Sequence, residues 1–182
     1  MLSDEQIIRQ VLKGDYEGYR ELVQRHQGAI YCLAYRMLNR AEEAEDVVQE
    51  AFVRAYSNLS KFRDRARFAA WIRRIAVNLC LARLPREIPS EDVESMLDAG
   101  MSRDDLVQAE VILRMERGRV REAIAKLPAE YRTAITLRYE EDMPYDKIAD
   151  LLHEPVSRIQ VRMHRAKKML AQRLAVMLED AV

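Results

Sequence analysis

The sequence predicts an all-α protein: two small helical domains joined by a flexible linker, the C-terminal one containing a helix-turn-helix. Three observations lead there. The 182 residues include only five Gly and five Pro, while the strong helix formers Ala, Leu, Arg, Glu and Met dominate. Apolar residues recur at three- and four-residue steps along most of the chain, the period of a helix with one buried face. That pattern is interrupted at 85–104, where Pro85, Pro89, an acidic stretch and Gly100 have the composition of a linker. The expected domains are therefore 1–84 and 105–182, both of ordinary size.

Each element has its own signal. Ser3-Asp4-Glu5-Gln6 is a capping box that opens a helix, and Gly14 closes it. A second helix begins near Asp15, aligns Tyr19, Leu22, Val23, Ile30, Leu33, Ala34 and Met37, and stops at Asn39. A third, from about Ala41 to Tyr56, turns Ala44, Val47, Val48, Ala51, Phe52, Ala55 and Leu59 inward. Its outer face carries Glu42, Glu43, Asp46, Gln49, Glu50 and Arg54, with the acids in the first turns, where the helix dipole favours them. Residues 60–66 break the periodicity and read as a loop. A fourth helix places Phe68, Trp71, Ile72, Ile75, Ala76 and Leu79 inward, and the bundle ends near Leu84.

Beyond the linker, helices are expected at about 105–126, 128–139, 145–152 and 155–178. Pro128 stands at a helix start, where its missing N–H costs nothing. Tyr145–Leu152, the turn His153-Glu154 and the helix from Pro155 form the helix-turn-helix, with Ile148, Ala149, Leu152, Val156, Ile159, Met163 and Leu170 inward.

The formal net charge is zero, from 30 basic and 30 acidic residues, but the charges are segregated. Residues 61–86 carry eight basic residues and one acidic, residues 87–110 one basic and eight acidic, and residues 156–182 six basic and two acidic. Two basic blocks separated by an acidic stretch point to two places that meet phosphate, although a solvated helix face accounts as well for either block alone. Other chemistry finds no support. His26, His153 and His164 with Cys32 and Cys80 show no metal-ligand spacing, so neither a metal nor a cofactor is expected. No Gly-rich phosphate loop and no catalytic string of Ser, Cys or carboxylates occurs, so catalytic residues are not expected either. The two cysteines read as buried thiols of a cytoplasmic protein. The acidic N-terminus lacks an apolar signal core, and the longest apolar runs are a few residues, which predicts neither secretion nor membrane insertion.

The basic blocks differ in chemistry. On the helix from Pro155, Ser157, Arg158, Gln160, Val161, Arg162, Arg165 and Lys168 point out or flank the groove. The N-terminal residues of such a helix reach base edges in the major groove; Arg158, Gln160 and Arg162 are long enough to do so, and Arg165 and Lys168 lie toward the backbone. Residues 56–78 instead interleave Tyr56, Phe62, Phe68 and Trp71 with Arg63, Arg65, Arg67, Arg73 and Arg74. Aromatic faces with cations suit unstacked bases and their phosphates. Phe68 and Trp71 lie on the apolar stripe and read as core, so Lys61, Phe62, Arg63 and Asp64 in the loop are the better candidates for touching a base.

Ala-Glu-Asp-Val-Val-Gln-Glu-Ala-Phe-Val-Arg-Ala-Tyr at 44–56 and Phe68-Ala-Ala-Trp-Ile-Arg-Arg-Ile-Ala-Val-Asn78 resemble the promoter −10-reading domain of bacterial extracytoplasmic-function sigma factors. Leu127-Pro-Ala-Glu-Tyr-Arg, Tyr145-Asp-Lys-Ile-Ala-Asp-Leu-Leu and Val161-Arg-Met-His-Arg-Ala-Lys resemble their −35-reading domain, in the family's order and over nearly the whole chain. The resemblance implies a non-enzymatic protein that binds core RNA polymerase, brings it to promoter DNA and helps melt it, under control of an anti-sigma factor. It implies polymerase docking through Glu45, Asp46, Gln49, Glu50 and Arg54. It implies contacts to partly single-stranded −10 DNA from Lys61, Phe62, Arg63, Asp64, Arg67, Arg73, Arg74 and Asn78, and to duplex −35 DNA from the exposed residues of the helix from Pro155. Opening DNA costs about 1.4 kcal/mol of stacking per step and capturing a base returns about 1–3 kcal/mol, so one or two captured bases nucleate a bubble without sustaining it.

The chain departs from the family at three places. His153 stands where the turn usually has Gly, Arg158-Ile-Gln-Val-Arg where Thr-Val-Lys-Ser-Arg is common, and a more apolar stretch follows Asn78. Two readings from other classes fit the residues alone. A dimeric duplex-binding regulator predicts binding to an isolated palindrome, and a protein-interaction adaptor predicts no salt-dependent DNA affinity.

Overall fold

The computed structural model describes residues 2–64, 67–84 and 117–179. The expected linker at 85–104 and the first part of the helix expected at 105–126 lie outside the described residues, as do Arg65 and Ala66. All regular structure among the described residues is helical. The chain divides into two compact units, Met1–Pro85 and Arg86–Val182.

In the first unit, α1 (Asp4–Val11) starts at Ser3 with both halves of the capping box formed. The Ser3 Oγ accepts from the Gln6 N–H at 3.3 Å, and the Gln6 Oε1 accepts from the Ser3 N–H at 2.8 Å. Ile7, Ile8 and Val11 bury one face of this helix against α2 (Glu17–Leu38). The two helices approach closely at Gly18, where a Cβ would stand 3.2 Å from the methyl groups of Ile7 and Val11. Polar ties accompany this packing: His26 lies 2.7 Å from the Asp4 carboxylate, and Arg25 joins Asp4, Glu21 and the Leu2 carbonyl.

Helix α2 ends at Asn39, whose φ of 58° is left-handed, a conformation Asn tolerates better than most residues. Helix α3 (Ala41–Asn58) follows directly, then a single 3-10 turn (Leu59–Lys61) and α4 (Phe68–Arg83). Ala44, Val47, Ala51, Phe52 and Ala55 of α3 meet Leu22, Ile30, Leu33, Ala34 and Met37 of α2 and Phe68, Ile72, Ala76, Val77, Leu79 and Cys80 of α4 in one core. The Tyr19 hydroxyl donates to the Phe52 carbonyl at 2.6 Å, and its burial raises the phenol's pKa.

The two cysteines differ, which corrects the expectation that both are buried. Cys32 lies on the exposed side of α2 and Cys80 is in the core. Burial pushes the Cys80 thiol up to about 12, with the Arg83 charge opposing. Because the thiolate is the reactive form, an aromatic disulfide reagent should titrate one thiol in the native protein and the second only after unfolding. Cys32→Ser should abolish the native reaction; rapid native labelling of that variant would place Cys80 outside the core.

The second unit contains α5 (Arg117–Ala125), α6 (Ala129–Tyr139), α7 (Tyr145–Leu152) and α8 (Val156–Glu179). Ala123, Leu127, Ala134, Ile135, Met163, Ala166, Leu170 and Leu174 form its core. Pro128 is the residue that caps α6, not its first helical residue. Arg132 is buried and donates to the carbonyls of Ala125 at 3.2 Å and Leu127 at 2.8 Å, where a helix end otherwise leaves acceptors unsatisfied. The turn between α7 and α8 puts His153 in the left-handed region, φ 56°, so the residue standing in place of Gly adopts the backbone conformation that position needs. Val156, expected inward, is 40% exposed: it is the first residue of α8 and precedes the first inward contact, Ile159. No described helix is long and apolar enough to cross a membrane, and no group of three or more His, Cys, Asp or Glu among the described residues could hold a metal.

Candidate partner and nucleic-acid interfaces

Three surfaces present the charged and aromatic residues picked out by sequence. The first is the outer face of α3. Glu45, Asp46 and Gln49 are exposed there, as the helical period requires once Ala44, Val47 and Ala51 turn inward. Glu50 is less free. It accepts from Arg54 at 2.6 Å and from Arg83 of α4 at 2.7 Å, and Arg83 foremost holds its carboxyl below the usual range against partial desolvation. Val53, 65% exposed, adds an apolar spot one turn from Gln49. It was legible in sequence, because it falls outside the inward stripe of its own helix.

The second surface is a cleft of about 500 Å3 between the end of α3, the 3-10 turn and α4, lined by Arg54, Asn58, Lys61, Phe62, Arg63, Trp71, Ile75 and Asn78. Phe62 lies flat on Trp71, ring centroids 4.2 Å apart and planes within 10°. Trp71 also meets Phe68 at 5.9 Å. The Asn58 amide donates to the Arg54 carbonyl at 2.9 Å, which leaves its oxygen available as an acceptor. The cleft thus combines aromatic rings, three cations and two amides. That is the combination that takes an unstacked base and the phosphates beside it.

The structure brings Lys61, Phe62, Arg63 and Asn78 together in this cleft and adds Arg54, expected on the polymerase face. Asp64 and Arg67 pair with each other at 3.3 Å and do not line it, and Arg73 and Arg74 are exposed on α4 but do not line it either. Trp71 and Ile75 are half-buried, not core, and line the cleft. Sequence reading missed both, and Asn58 with them. The signal for Trp71 was its place at the edge of the α4 stripe, beside Arg73 and Arg74.

The third surface is α8. Ile159, Met163, Ala166, Leu170 and Leu174 are all buried, and this stripe sets the rotation of the helix. Arg158, Gln160 and Lys168 are exposed, and Ser157, Val161 and Arg165 half-buried. His164, exposed and one turn from Val161, belongs to the same outer face and was not singled out by sequence. Arg162 stands apart. Its side chain is 10% exposed, its Nη2 is 2.9 Å and 2.8 Å from the two oxygens of Glu154, and its Nε is 3.5 Å from Glu130.

The chain is similar to known proteins in sequence and in fold. Residues 22–87 match the family model of sigma-70 region 2, and residues 117–170 that of sigma-70 region 4. The chain is 34% identical over 176 residues to the ECF RNA polymerase sigma factor SigW of Bacillus subtilis (strain 168), covering 92% of this chain and 94% of that protein. It is 34% identical over 176 residues to the ECF RNA polymerase sigma-E factor of Escherichia coli (strain K12), covering 92% of each. Among solved structures the fold resembles CnrH in complex with the cytosolic domain of CnrY, with TM-score 0.56 and 24% identity, covering 95% of this chain and 97% of that one. It also resembles the sigma factor RpoE of Bartonella quintana, solved with the anti-sigma factor NepR, with TM-score 0.52 and 17% identity, covering 87% and 97%.

Proposed function

The chain belongs to the extracytoplasmic-function sigma factors of bacterial RNA polymerase, a family of transcription initiation factors, and on that footing we propose how its surfaces divide the work. The 1–84 domain docks on core polymerase through Glu45, Asp46, Gln49 and Arg54 of α3, with Glu50 tied to Arg83 behind them. The cleft beside Phe62 captures an unstacked base of the −10 element. Lys61, Arg63 and Asn78 contact the captured strand, and Arg67, Arg73 and Arg74, exposed outside the cleft, meet phosphates along it. The 105–182 domain reads the duplex −35 element through Ser157, Arg158, Gln160 and Val161, with Arg165 and Lys168 on the backbone. The 85–104 segment links the two. The protein works in the cytoplasm and catalyses no reaction of its own.

The single observation that carries this reading is the cleft. An aromatic stack walled by Arg54, Lys61 and Arg63 stands inside the segment that matches sigma-70 region 2. An anti-sigma factor is the proposed regulator: polymerase and DNA surfaces this exposed must be masked while the regulon is off, and an inhibitor seated between the domains would use the linker to change their placement. The sigma factor RpoE of Bartonella quintana is solved in complex with the anti-sigma factor NepR. Run-off transcription with purified core polymerase tests the whole. Promoter-specific transcript should appear only when the chain is added. Tight binding of a dimer to a palindromic duplex without polymerase, and no transcript, would replace this reading with that of a duplex-binding regulator.

A further inference from the structure

We infer that Arg162 is a positioning residue of the −35-reading helix, held by Glu154 and Glu130 and not touching DNA, an inference that rests on the −35 assignment above. Arg158, Gln160 and Lys168 are exposed on the same helix, whereas the Arg162 side chain is 10% exposed and engaged on two sides. Its Nη2 meets both oxygens of Glu154, at 2.9 Å and 2.8 Å. Its Nε faces Glu130 at 3.5 Å. The three residues belong to three different pieces of the unit: Glu130 to the first turn of α6, Glu154 to the turn after α7, and Arg162 to α8.

The Glu154 Oε2 is buried and makes no hydrogen bond of its own, so its charge is balanced by the guanidinium. To reach a base, Arg162 would leave the buried Oε2 of Glu154, whose side chain is 22% exposed, without its cation, and removing one partner from a partly buried pair is the costly way to break it. Kept in place, the planar guanidinium presents Nη2 to Glu154 and Nε to Glu130 at once and so fixes α8 about its axis against two other elements, which the single ammonium of a lysine does less well. The apolar stripe sets the helix rotation coarsely, since one ridge of side chains tolerates small rolls. Arg162 sets it finely, and thereby aims Arg158 and Gln160, one on each side of buried Ile159.

The sign of the effect of the two carboxylates tests this. Holoenzyme carrying Glu154→Gln, Glu130→Gln or Arg162→Lys is compared with wild type on promoters whose −35 bases are substituted one at a time. Circular dichroism gives the folded fraction of each variant, and Arg158→Ala serves as the control for direct reading. Glu154→Gln keeps the side chain's shape and should lower discrimination among −35 variants severalfold at equal folded fraction. Arg162→Lys should do the same although it keeps the charge, and the slope of affinity against salt should stay unchanged in both, because no phosphate contact is lost. If Arg162 touches DNA instead, removing a neighbouring carboxylate frees the cation, so tighter binding with a steeper salt slope in Glu154→Gln and Glu130→Gln overturns the inference. Weaker binding that merely follows the folded fraction, with base preference intact, overturns it as well, in favour of a purely structural pair. If Arg158→Ala leaves every −35 preference unchanged, the −35 assignment itself falls and the inference with it.

Discussion

Phe62→Ala is expected to reduce promoter opening by roughly fivefold to a hundredfold, measured by permanganate reactivity of the −10 thymines, while core polymerase binding stays within about twofold. The magnitude follows from base–aromatic stacking, about 1–3 kcal/mol per base, with each 1.4 kcal/mol a factor of ten. The variant leaves the face of Trp71 uncovered, and that face offers a second, poorer platform, so Phe62→Ala combined with Trp71→Ala should fall further than either alone. Arg63→Ala should cost less and lose its effect as salt rises, because Arg63 is exposed and acts on phosphate. Unchanged opening in Phe62→Ala and Arg63→Ala together would remove the base-capture role from this cleft.

The largest effect on stability is expected from Phe68→Ala, about 3–5 kcal/mol out of a typical domain total of about 5–15 kcal/mol. Phe68 is fully buried and packs on the rings of His26 and Trp71 at 5.5 Å and 5.9 Å, so its loss opens a cavity where α2 and α4 meet. Trp71 is the chain's single tryptophan, and its fluorescence reports this unit alone. The urea midpoint followed by that signal should drop sharply. A midpoint that does not move would mean that Phe68 is not a core residue.

Much of this protein is legible along the chain because its physics is local. Helix starts and stops depend on residues within a turn of the boundary: Ser3 with Gln6 forms the capping box, and Asn39 and His153 take the left-handed φ that ends α2 and α7. The stripe of Ile159, Met163 and Leu170 is a period of 3.6 residues, and all three are buried. The motifs that place the chain among sigma factors are likewise continuous strings of residues.

Tertiary structure decided what happens at the edges of those stripes. Period alone reads Trp71 as core and Arg162 as a base-reading residue, and it is silent on what covers either of them. Trp71 becomes a cleft wall because Phe62, nine positions away in the chain, stacks on it. Arg162 turns inward because Glu130, in another helix, and Glu154, in the preceding turn, supply carboxylates on its flank. Cys32 stays outside because no helix among the described residues covers its side of α2, while Cys80 faces the core. A helix repeats every 3.6 residues whatever surrounds it, but burial and ion pairing depend on neighbours brought from elsewhere in the chain. Local periodicity and capping thus suffice for the helices and their apolar faces, whereas packing selects which flanking side chains stay exposed.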